Sequence, residues 1–253
     1  LAKHKIDTVI NFAAESHVDN SIKKPNKFVR TNILGTHNLL RCCYNYWLDK
    51  PFIIKKNFKK KCLFVQVSTD EVYGSTLKGK FSEESILNPN SPYSASKAAA
   101  DHLINSYNKT FGLPTIITRC SNNFGPHQHL EKFIPTIINS LIKKRNIPVY
   151  GKGLNVREWI FVDDHCQGIL KVINKGKVGE IYNIGSGKEI RNINLVNLII
   201  KLFNKRRSNF NYFNLIKFVE DRPGHDFRYS INSSKSKKIG WKIKNSFNNS
   251  LIK

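Results

Sequence analysis

The sequence lacks the features that mark membrane, secreted and disulfide-stabilised proteins. It contains no run of roughly 18 or more apolar residues, the length needed to cross a bilayer. Residues 1–7 lack the apolar block of a secretory signal. The five cysteines form no CxxC pair, and their odd number argues against a disulfide framework. We therefore expect a cytoplasmic protein with reduced thiols, no metal site and no membrane partner.

Acidic residues are also scarce. The 18 Asp and Glu residues are outnumbered by 42 Lys and Arg residues, which gives a formal net charge of +24. Such a charge is compatible with nucleic-acid binding, because clustered cations neutralise phosphates. The densest basic stretches, residues 55–61 and 201–207, carry no nucleic-acid recognition motif. We favour compositional drift as the origin of the charge and predict no nucleic-acid partner, although a basic protein attracts small anionic ligands.

Apolar runs typical of strands alternate with amphipathic helical stretches. Strands are predicted over residues 8–13, 63–68, 115–118, 159–162 and 181–184, and helices over 33–47, 94–111, 133–144, 163–175 and 193–203. This alternation indicates an α/β protein with a doubly wound parallel sheet. We assign residues 1–126 to a main domain and residues 127–253 to a smaller C-terminal lobe, interwoven with the last strands of the main domain.

The sequence also has no Gly-rich turn of the G-x-G-x-x-G or G-x-x-G-x-x-G kind. In a doubly wound, dinucleotide-binding sheet, the first strand carries that turn. We therefore expect a sheet without its first βαβ segment, in which the strand over residues 8–13 becomes an apolar edge. We also expect both ends of the chain to be truncated.

A tyrosine and a lysine lie four residues apart, at Tyr93 and Lys97. This spacing places both on one face of a helix. A free tyrosine, with a pKa of about 10, is a poor base at neutral pH. A nearby ammonium, together with an oxidised nicotinamide, favours the phenolate and makes Tyr93 a candidate base. The alternative is a surface lysine one turn from a partly buried tyrosine.

Two adjacent carboxylates, Asp70 and Glu71, follow Thr69 at the end of the strand predicted over residues 63–68. Catalytic groups of open α/β sheets lie beyond the carboxyl ends of their strands. Adjacent buried carboxylates push one pKa upward, which produces an acid beside a base, as an elimination of water requires. The alternative is a solvated turn in which Thr69 caps a short helix.

Small residues follow the first predicted strand at Ala13 and Ala14, before Ser16 and His17. Small side chains let a flat dinucleotide approach the backbone, and the polar pair offers hydrogen bonds to a sugar or phosphate. Taken alone, the segment is more typical of a strand that passes into a loop with an exposed His17.

These motifs occur together, in chain order, with further recognisable stretches. The set comprises AAESHVDNSI (13–22), FVRTNILGTHNLL (28–40), VSTDEVYG (67–74), PYSASKAAADHL (92–103), TRCSNNFGPHQHLEKFIP (118–135), VYGKGLNVREWIFVDDH (149–165), IYNIGSG (181–187) and DRPGHDFRY (221–229). Together they resemble the dTDP-glucose 4,6-dehydratases, which are extended short-chain dehydrogenases. The resemblance covers nearly the whole chain and implies a Rossmann-like fold and a homodimer formed through a helix bundle that includes the helix carrying Tyr93 and Lys97.

The resemblance implies that bound NAD oxidises sugar C4, that water is lost across C5 and C6, and that hydride returns to C6. Tyr93 would be the base at C4, with Lys97 supporting it, and Thr69 would assist at the C4 hydroxyl. Glu71 would take the C5 proton, and Asp70 would protonate the departing C6 hydroxyl.

The same resemblance implies binding residues. Those near NAD are Ala13, Ala14, Ser16, Thr31, Tyr93, Lys97 and Asn123. Those near the nucleotide-sugar are Ser16, Thr69, Asn122, Glu131, Lys132, Tyr150, Arg157, Asn192, Arg222 and His225. Arg157 and Arg222 suit a diphosphate because a guanidinium fork binds phosphate oxygens.

Two alternatives to this function remain. One is a nucleotide-sugar epimerase or decarboxylase of the same superfamily, and the adjacent carboxylates favour dehydration over both. The other is a non-catalytic basic fragment that binds polyanions.

Overall fold

The computed structural model describes residues 1–58, 62–204 and 210–252 and has an α/β architecture. Parts of the two basic stretches, residues 59–61 and 205–209, lie outside the described residues. Within the described ranges, no helix is both long and apolar enough to cross a membrane.

The described strands and helices follow the alternation expected from the sequence. The strands are β1 (Thr8–Asn11), β2 (Leu48–Lys50), β3 (Ile53–Ile54), β4 (Leu63–Thr69), β5 (Thr115–Cys120), β6 (Asn122–Phe124), β7 (Ile147–Tyr150), β8 (Val156–Phe161), β9 (Ile181–Ile184), β10 (Glu189–Arg191) and β11 (Ile216–Val219). The α-helices are α1 (Val18–Lys23), α2 (Pro25–Phe28), α3 (Gly35–Trp47), α4 (Pro92–Phe111), α5 (Phe133–Ile142), α6 (Val162–Lys175), α7 (Asn192–Asn204), α8 (Ser234–Lys238) and α9 (Phe247–Ile252). A π-helical segment, Val29–Leu34, leads into α3.

The central sheet is parallel, in the order β1-β4-β5-β9. Almost every residue of β4 and β5 is buried, as expected for inner strands covered on both faces. The predicted α/β class with a parallel sheet is therefore confirmed. Since all four strands point the same way, the carboxyl ends of β4 and β5 meet at one edge, where the candidate catalytic residues lie.

The first strand forms an edge of this sheet in the part of the chain that the structure describes. β1 pairs with β4 on one side, from Thr8 opposite Leu63 to Asn11 opposite Gln66. Ile10 and Phe12, at the end of this strand, are 37% and 57% exposed. The position of β1 agrees with the edge strand expected from the sequence.

Local sequence signals account for both ends of α4. At its start, the side chains of Ser91 and Ser94 form a reciprocal capping box, and Pro92 occupies the first turn. At its end, Gly112 adopts a left-handed conformation with φ of 67°, and a Cβ there would lie 2.6 Å from the Phe52 ring. These residues therefore determine where α4 begins and where it ends.

The second half of the chain forms smaller sheets around its own core. β8 lies between antiparallel β10 and parallel β6, and β7 pairs with β11. Ile137, Trp159 and Leu195 pack in a core that also includes Phe124. β9, from the second half, completes the central sheet. The division at residues 126 and 127 stays a prediction.

A buried ion pair joins α4 to the central sheet. The Arg119 Nε donates to Asp101 Oδ2 at 2.9 Å, and Nη1 donates to the Tyr73 hydroxyl at 2.9 Å. Arg119 and Asp101 are 2% and 0% exposed. Breaking such a pair from one side leaves an uncompensated buried charge, which is far more costly than losing an exposed pair.

We expect Arg119→Met to lower the free energy of unfolding by about 3–5 kcal/mol, because Asp101 loses its partner in the interior. Urea unfolding measures the change. The matched control is Glu180→Gln, which removes an exposed carboxylate paired with Lys235 and is expected to cost less than about 1 kcal/mol. Equal losses in the two variants would contradict a structural role for the buried pair.

Candidate active site

The end of β4 positions three of the predicted catalytic residues. Thr69 ends the strand, and its side chain caps the short 3-10 helix Asp70–Tyr73 by accepting a hydrogen bond from the Glu71 N–H at 3.3 Å. The Thr69 hydroxyl also donates to Asp70 Oδ1 at 3.3 Å. The capping expected as an alternative to catalysis is therefore present, and it fixes the backbone from which both carboxyl groups project.

Both carboxyl groups have raised pKa values. Burial raises the pKa of Asp70 well above its usual value, and the charges of Glu71 and Glu158 raise it further. Burial is also the main cause of the raised pKa of Glu71, while Arg157 opposes the shift. Asp70 is 2% exposed, and its Oδ2 finds no hydrogen-bond partner among the described residues. A carboxyl in this environment favours its protonated form and suits an acid.

The α4 helix brings Tyr93 and Lys97 to the same edge of the sheet. The Lys97 Nζ donates to the Val67 carbonyl of β4 at 2.8 Å. Tyr93 is buried and lies within electrostatic reach of Glu71 and Asp70, close enough to the Thr69 side chain for that residue to affect the pKa of the phenol. The structure therefore places the phenol beside the predicted acid and base.

The pKa of Tyr93 in the protein without cofactor is set mainly by burial. The sequence-based expectation of a lowered pKa requires an oxidised nicotinamide in addition to the lysine ammonium, and it stays a prediction. In the protein alone, burial raises the pKa of Tyr93 well above its usual value, and the Glu71 charge adds to the shift. Burial also lowers the pKa of Lys97, against the opposing charge of Asp101. The phenolate therefore needs positive charge in addition to that of Lys97.

The predicted cofactor-binding residues lie around the ends of β1, β4 and β5. Ala13 and Ala14 follow β1, and Asn32 joins this segment to α4 by bonding Glu15 and Ser96. Thr31 lies in the π-helical segment next to Asn32. Buried polar atoms with no hydrogen-bond partner in the described ranges lie near the strand ends: Ser68 Oγ, Ser121 Oγ and Asn123 Oδ1. Such atoms are available to a bound polar group.

A cavity of about 340 Å³ adjoins the carboxyl pair. All the predicted substrate-binding residues except Thr69 line it, and so does Glu71: Ser16, Asn122, Glu131, Lys132, Tyr150, Arg157, Asn192, Arg222 and His225. Thr69 does not line the cavity and instead contacts the Asp70 side chain and the Glu71 backbone. Residues separated by up to about two hundred positions in the sequence thus line one cavity. The motifs predicted that these residues lie together, whereas hydrophobic periodicity alone could not predict it.

The cations of the cavity are held by protein groups. The Arg157 guanidinium donates to the carbonyls of Val156, Asp226 and Phe227 and lies 4.3 Å from the centre of the Tyr229 ring. Lys132 donates to the Ser16 carbonyl and hydroxyl. These contacts preorganise positive charge around a space suited to an anion.

Three residues at the site, Asp19, Asp226 and Tyr229, were not predicted from the sequence. Asp19 pairs with Arg222. The Tyr229 hydroxyl donates to Asp226 Oδ2 at 2.7 Å and lies 3.4 Å from Glu71 Oε2. All three lie within stretches that carried the resemblance, and the long-range contacts of Asp19 and Tyr229 have no local sequence signal.

The comparisons with known proteins agree with this site. The family model described as GDP-mannose 4,6 dehydratase matches residues 1–253. A dTDP-glucose 4,6-dehydratase of Xanthomonas campestris pv. campestris is 47% identical over 246 residues, which cover 95% of this chain and 69% of the relative. The chain belongs to this 4,6-dehydratase family. The resemblance stated from the sequence is confirmed.

Solved structures of similar proteins support the same assignment. DesIV, a dTDP-glucose 4,6-dehydratase from Streptomyces venezuelae solved with NAD bound, has a TM-score of 0.88 and 42% identity, with coverage of 98% of this chain and 71% of that one. The dTDP-glucose 4,6-dehydratase of Bacillus anthracis, also in complex with NAD, has a TM-score of 0.83 and 42% identity, with coverage of 99% and 72%. The Rossmann-like fold expected from the sequence is therefore confirmed.

The raised pKa of Asp70 predicts a pH-dependent cost to stability. The folded protein binds this proton more tightly than the unfolded chain, whose reference pKa is 3.8. The stability that Asp70 contributes is therefore complete below that value and is lost as the pH rises through the folded-state pKa. We expect Asp70→Asn to raise the free energy of unfolding by about 1–2 kcal/mol at about pH 8, with a smaller gain at about pH 4.

Urea unfolding at the two pH values measures this gain. The control is Asp49→Asn, at an exposed position of β2, which is expected to show no comparable pH-dependent gain. A gain for Asp70→Asn that is the same at both pH values would contradict a buried, proton-binding carboxyl.

Proposed function

We propose that the chain dehydrates dTDP-glucose to dTDP-4-dehydro-6-deoxyglucose with NAD, in nucleotide-sugar metabolism that supplies deoxysugars. The observation that carries the proposal is the pair of adjacent carboxyls within electrostatic reach of Tyr93, in which Asp70 is buried and the partly buried Glu71 lines a cavity with polar and cationic walls. An elimination of water needs one group to accept a carbon-bound proton and another to protonate the departing hydroxyl. The identity of the sugar and of the nucleotide is inferred from the family relationship.

Each reacting proton has a residue suited to it. Tyr93 takes the proton of the C4 hydroxyl, and Thr69 orients that hydroxyl. The resulting carbonyl acidifies the C5 proton, which Glu71 removes. Asp70, held protonated by burial, gives its proton to the C6 hydroxyl, which leaves as water. The elimination step therefore removes the C5 proton and the C6 hydroxyl. C5 takes a proton back from Glu71 when hydride returns to C6, so the net loss is the C4 hydroxyl proton and the C6 hydroxyl, which together make one water.

NAD fits the residues at the ends of the strands. We propose that Lys97, Tyr93 and Asn123 hold its nicotinamide half, where the Ser121 Oγ and Asn123 Oδ1 atoms, which have no hydrogen-bond partner among the described residues, offer acceptors. Ala13, Ala14, Ser16 and Thr31 would line its path beyond β1. When bound, NAD would supply the acceptor for the C4 hydride and the donor for its return at C6, and its positive charge would favour the phenolate of Tyr93. The Gly-rich turn that usually holds the pyrophosphate is not in this sequence.

The cavity suits the nucleotide-sugar. We propose that Arg157 and Arg222 bind the diphosphate, with Lys132 and His225 beside them, because guanidinium groups bind phosphate oxygens strongly. Asn122, Glu131, Tyr150 and Asn192 would bind the sugar and nucleoside through their polar groups. The Asn122 and Asn192 Oδ1 atoms are buried and lack a hydrogen-bond partner in the described part of the chain, so both can accept from a ligand.

The partner proposed for the protein is a second copy of the same chain, and its proposed location is the cytoplasm. Val29, Leu34 and Leu39 expose apolar side chains on the segment that packs beside α4, the helix expected in the dimer interface. Exposed apolar groups of this kind support association. Light scattering that finds a monomer at micromolar concentration would contradict the homodimer.

The function is tested by incubating the purified chain with dTDP-glucose and catalytic amounts of NAD. We expect a 4-keto-6-deoxy sugar nucleotide, identified by mass and NMR, without net consumption of NAD, because the hydride that leaves C4 returns at C6. A C4 epimer would indicate an epimerase, and released carbon dioxide would indicate a decarboxylase. Salt-dependent RNA binding without NAD or dTDP binding would favour a non-catalytic basic protein.

The variant Glu71→Gln separates the steps of this reaction. We expect it to lower product formation by about 10²–10⁴-fold while the near-ultraviolet absorbance of reduced nicotinamide still appears, because oxidation at C4 does not need Glu71. The matched control is Glu84→Gln, which changes an exposed glutamate and should leave both signals unchanged. Loss of the reduced-nicotinamide signal in Glu71→Gln would contradict the assigned role.

A further inference from the structure

A carboxylate on α1 reaches across to two predicted ligand-binding side chains of the second half of the chain. Arg222 Nε and Nη2 donate to Asp19 Oδ1 and Oδ2 at 2.7 and 3.0 Å, and the Tyr150 hydroxyl donates to Oδ2 at 3.1 Å. Arg222 and Tyr150 lie 203 and 131 positions from Asp19 along the chain. A single side chain thus sets the relative position of two groups that no local structure connects.

The contact is made with one edge of the guanidinium group. Asp19 binds the edge formed by Nε and Nη2, and the guanidinium carbon lies 4.9 Å from the centre of the Tyr150 ring. A bidentate carboxylate fixes the plane of the group as well as its position. Nη1, on the far side from Nε, takes no part in this contact. Arg222 is therefore oriented while part of its donor capacity remains for another anion.

This cluster of Asp19, Tyr150 and Arg222 forms a wall between two spaces. All three residues line the cavity beside the carboxyl pair, and all three also line a neighbouring cavity of about 350 Å³. The arginine and aspartate side chains are only 18% and 22% exposed. A long arginine side chain without such an anchor samples many rotamers, and each must be restricted before a ligand binds.

We infer that Asp19 is a positioning residue for nucleotide-sugar binding, which holds Arg222 and Tyr150 ready for a diphosphate-linked ligand. The inference rests on the proposed function, because it takes the ligand to be a nucleotide-sugar. Asp19 acts on affinity through Arg222 and takes no part in the proton transfers at C4, C5 and C6. Its loss should therefore weaken ligand binding more than it slows the chemical steps.

The test compares Asp19→Asn with the unchanged chain in titrations with dTDP and in steady-state kinetics with dTDP-glucose. We expect the Kd for dTDP and the KM for dTDP-glucose to rise about tenfold while kcat changes less than about threefold, since a charge-assisted bidentate contact is lost away from the reacting atoms. The NAD affinity should stay unchanged. Tighter dTDP binding would show that Asp19 competes with the phosphates and would overturn the inference, as would an unchanged Kd.

A double-mutant cycle distinguishes positioning from a merely structural contact. If Asp19 acts through Arg222, Asp19→Asn should weaken dTDP binding little further in a chain that already carries Arg222→Ala. Independent, additive losses would overturn the inference. The matched control is Glu220→Gln, which removes the same charge from an exposed residue that lines only the neighbouring cavity. Its Kd for dTDP should stay within about twofold of that of the unchanged chain, because exposed charges are screened.

The conservative variant Asp19→Glu distinguishes a loss of binding from a failure to fold. It keeps the charge and should bind dTDP more tightly than Asp19→Asn does. If both variants lose their cooperative unfolding transition, Asp19 is a structural residue and the inference fails. If the unchanged chain does not bind dTDP, the proposed function fails instead, and the two failures are therefore distinguishable.

Discussion

The hydrogen bond between the Lys97 ammonium and the Val67 carbonyl fixes the catalytic helix against the central sheet. Lys97 is 4% exposed, and burying an ammonium is unfavourable unless hydrogen bonds and opposite charge compensate for the lost water. Val67 supplies the acceptor, and Asp101, one turn along α4, supplies the charge that opposes the lowered pKa. Asp101 is in turn held by Arg119. The position of Tyr93 relative to β4 follows from this chain of contacts.

The same edge of the sheet contains groups that destabilise the fold. Asp70 and Glu71 are adjacent carboxyls whose burial raises the pKa of both, and the phenol of Tyr93 is shifted in the same direction. Each shift means that the folded protein disfavours the charged form. The Thr69 cap and the Lys97 contact keep these groups in place despite that cost. A chain selected for stability alone would not bury these groups together. Their unfavourable burial therefore indicates a functional site.

Local features were predictable because their causes are local. The boundaries of α4 follow from Ser91, Pro92 and Gly112, and the buried inner strands follow from their apolar runs. The cavity residues were predicted through motifs, whose joint occurrence reflects a shared fold. The pairing of Arg222 with Asp19 was not predicted, because no spacing rule connects an arginine to a carboxylate 203 positions away. The effect of burial on the pKa of Tyr93 was not predicted, since burial depends on how α4 packs and the Tyr-Lys spacing contains no information about desolvation.

The net charge of the chain and the charge of the site have different origins. In the cavity, Lys132, Arg157 and Arg222 are offset mainly by Asp19 and Glu131, since burial disfavours the charged form of Glu71, although the chain as a whole carries +24. The excess cations therefore lie elsewhere and act on an anionic ligand only at long range, where salt screens them. On the proposed function, selection of a diphosphate-linked ligand depends on how the cavity cations are oriented. We therefore expect the anchoring of Arg222 to affect binding more than the number of basic residues on the surface does.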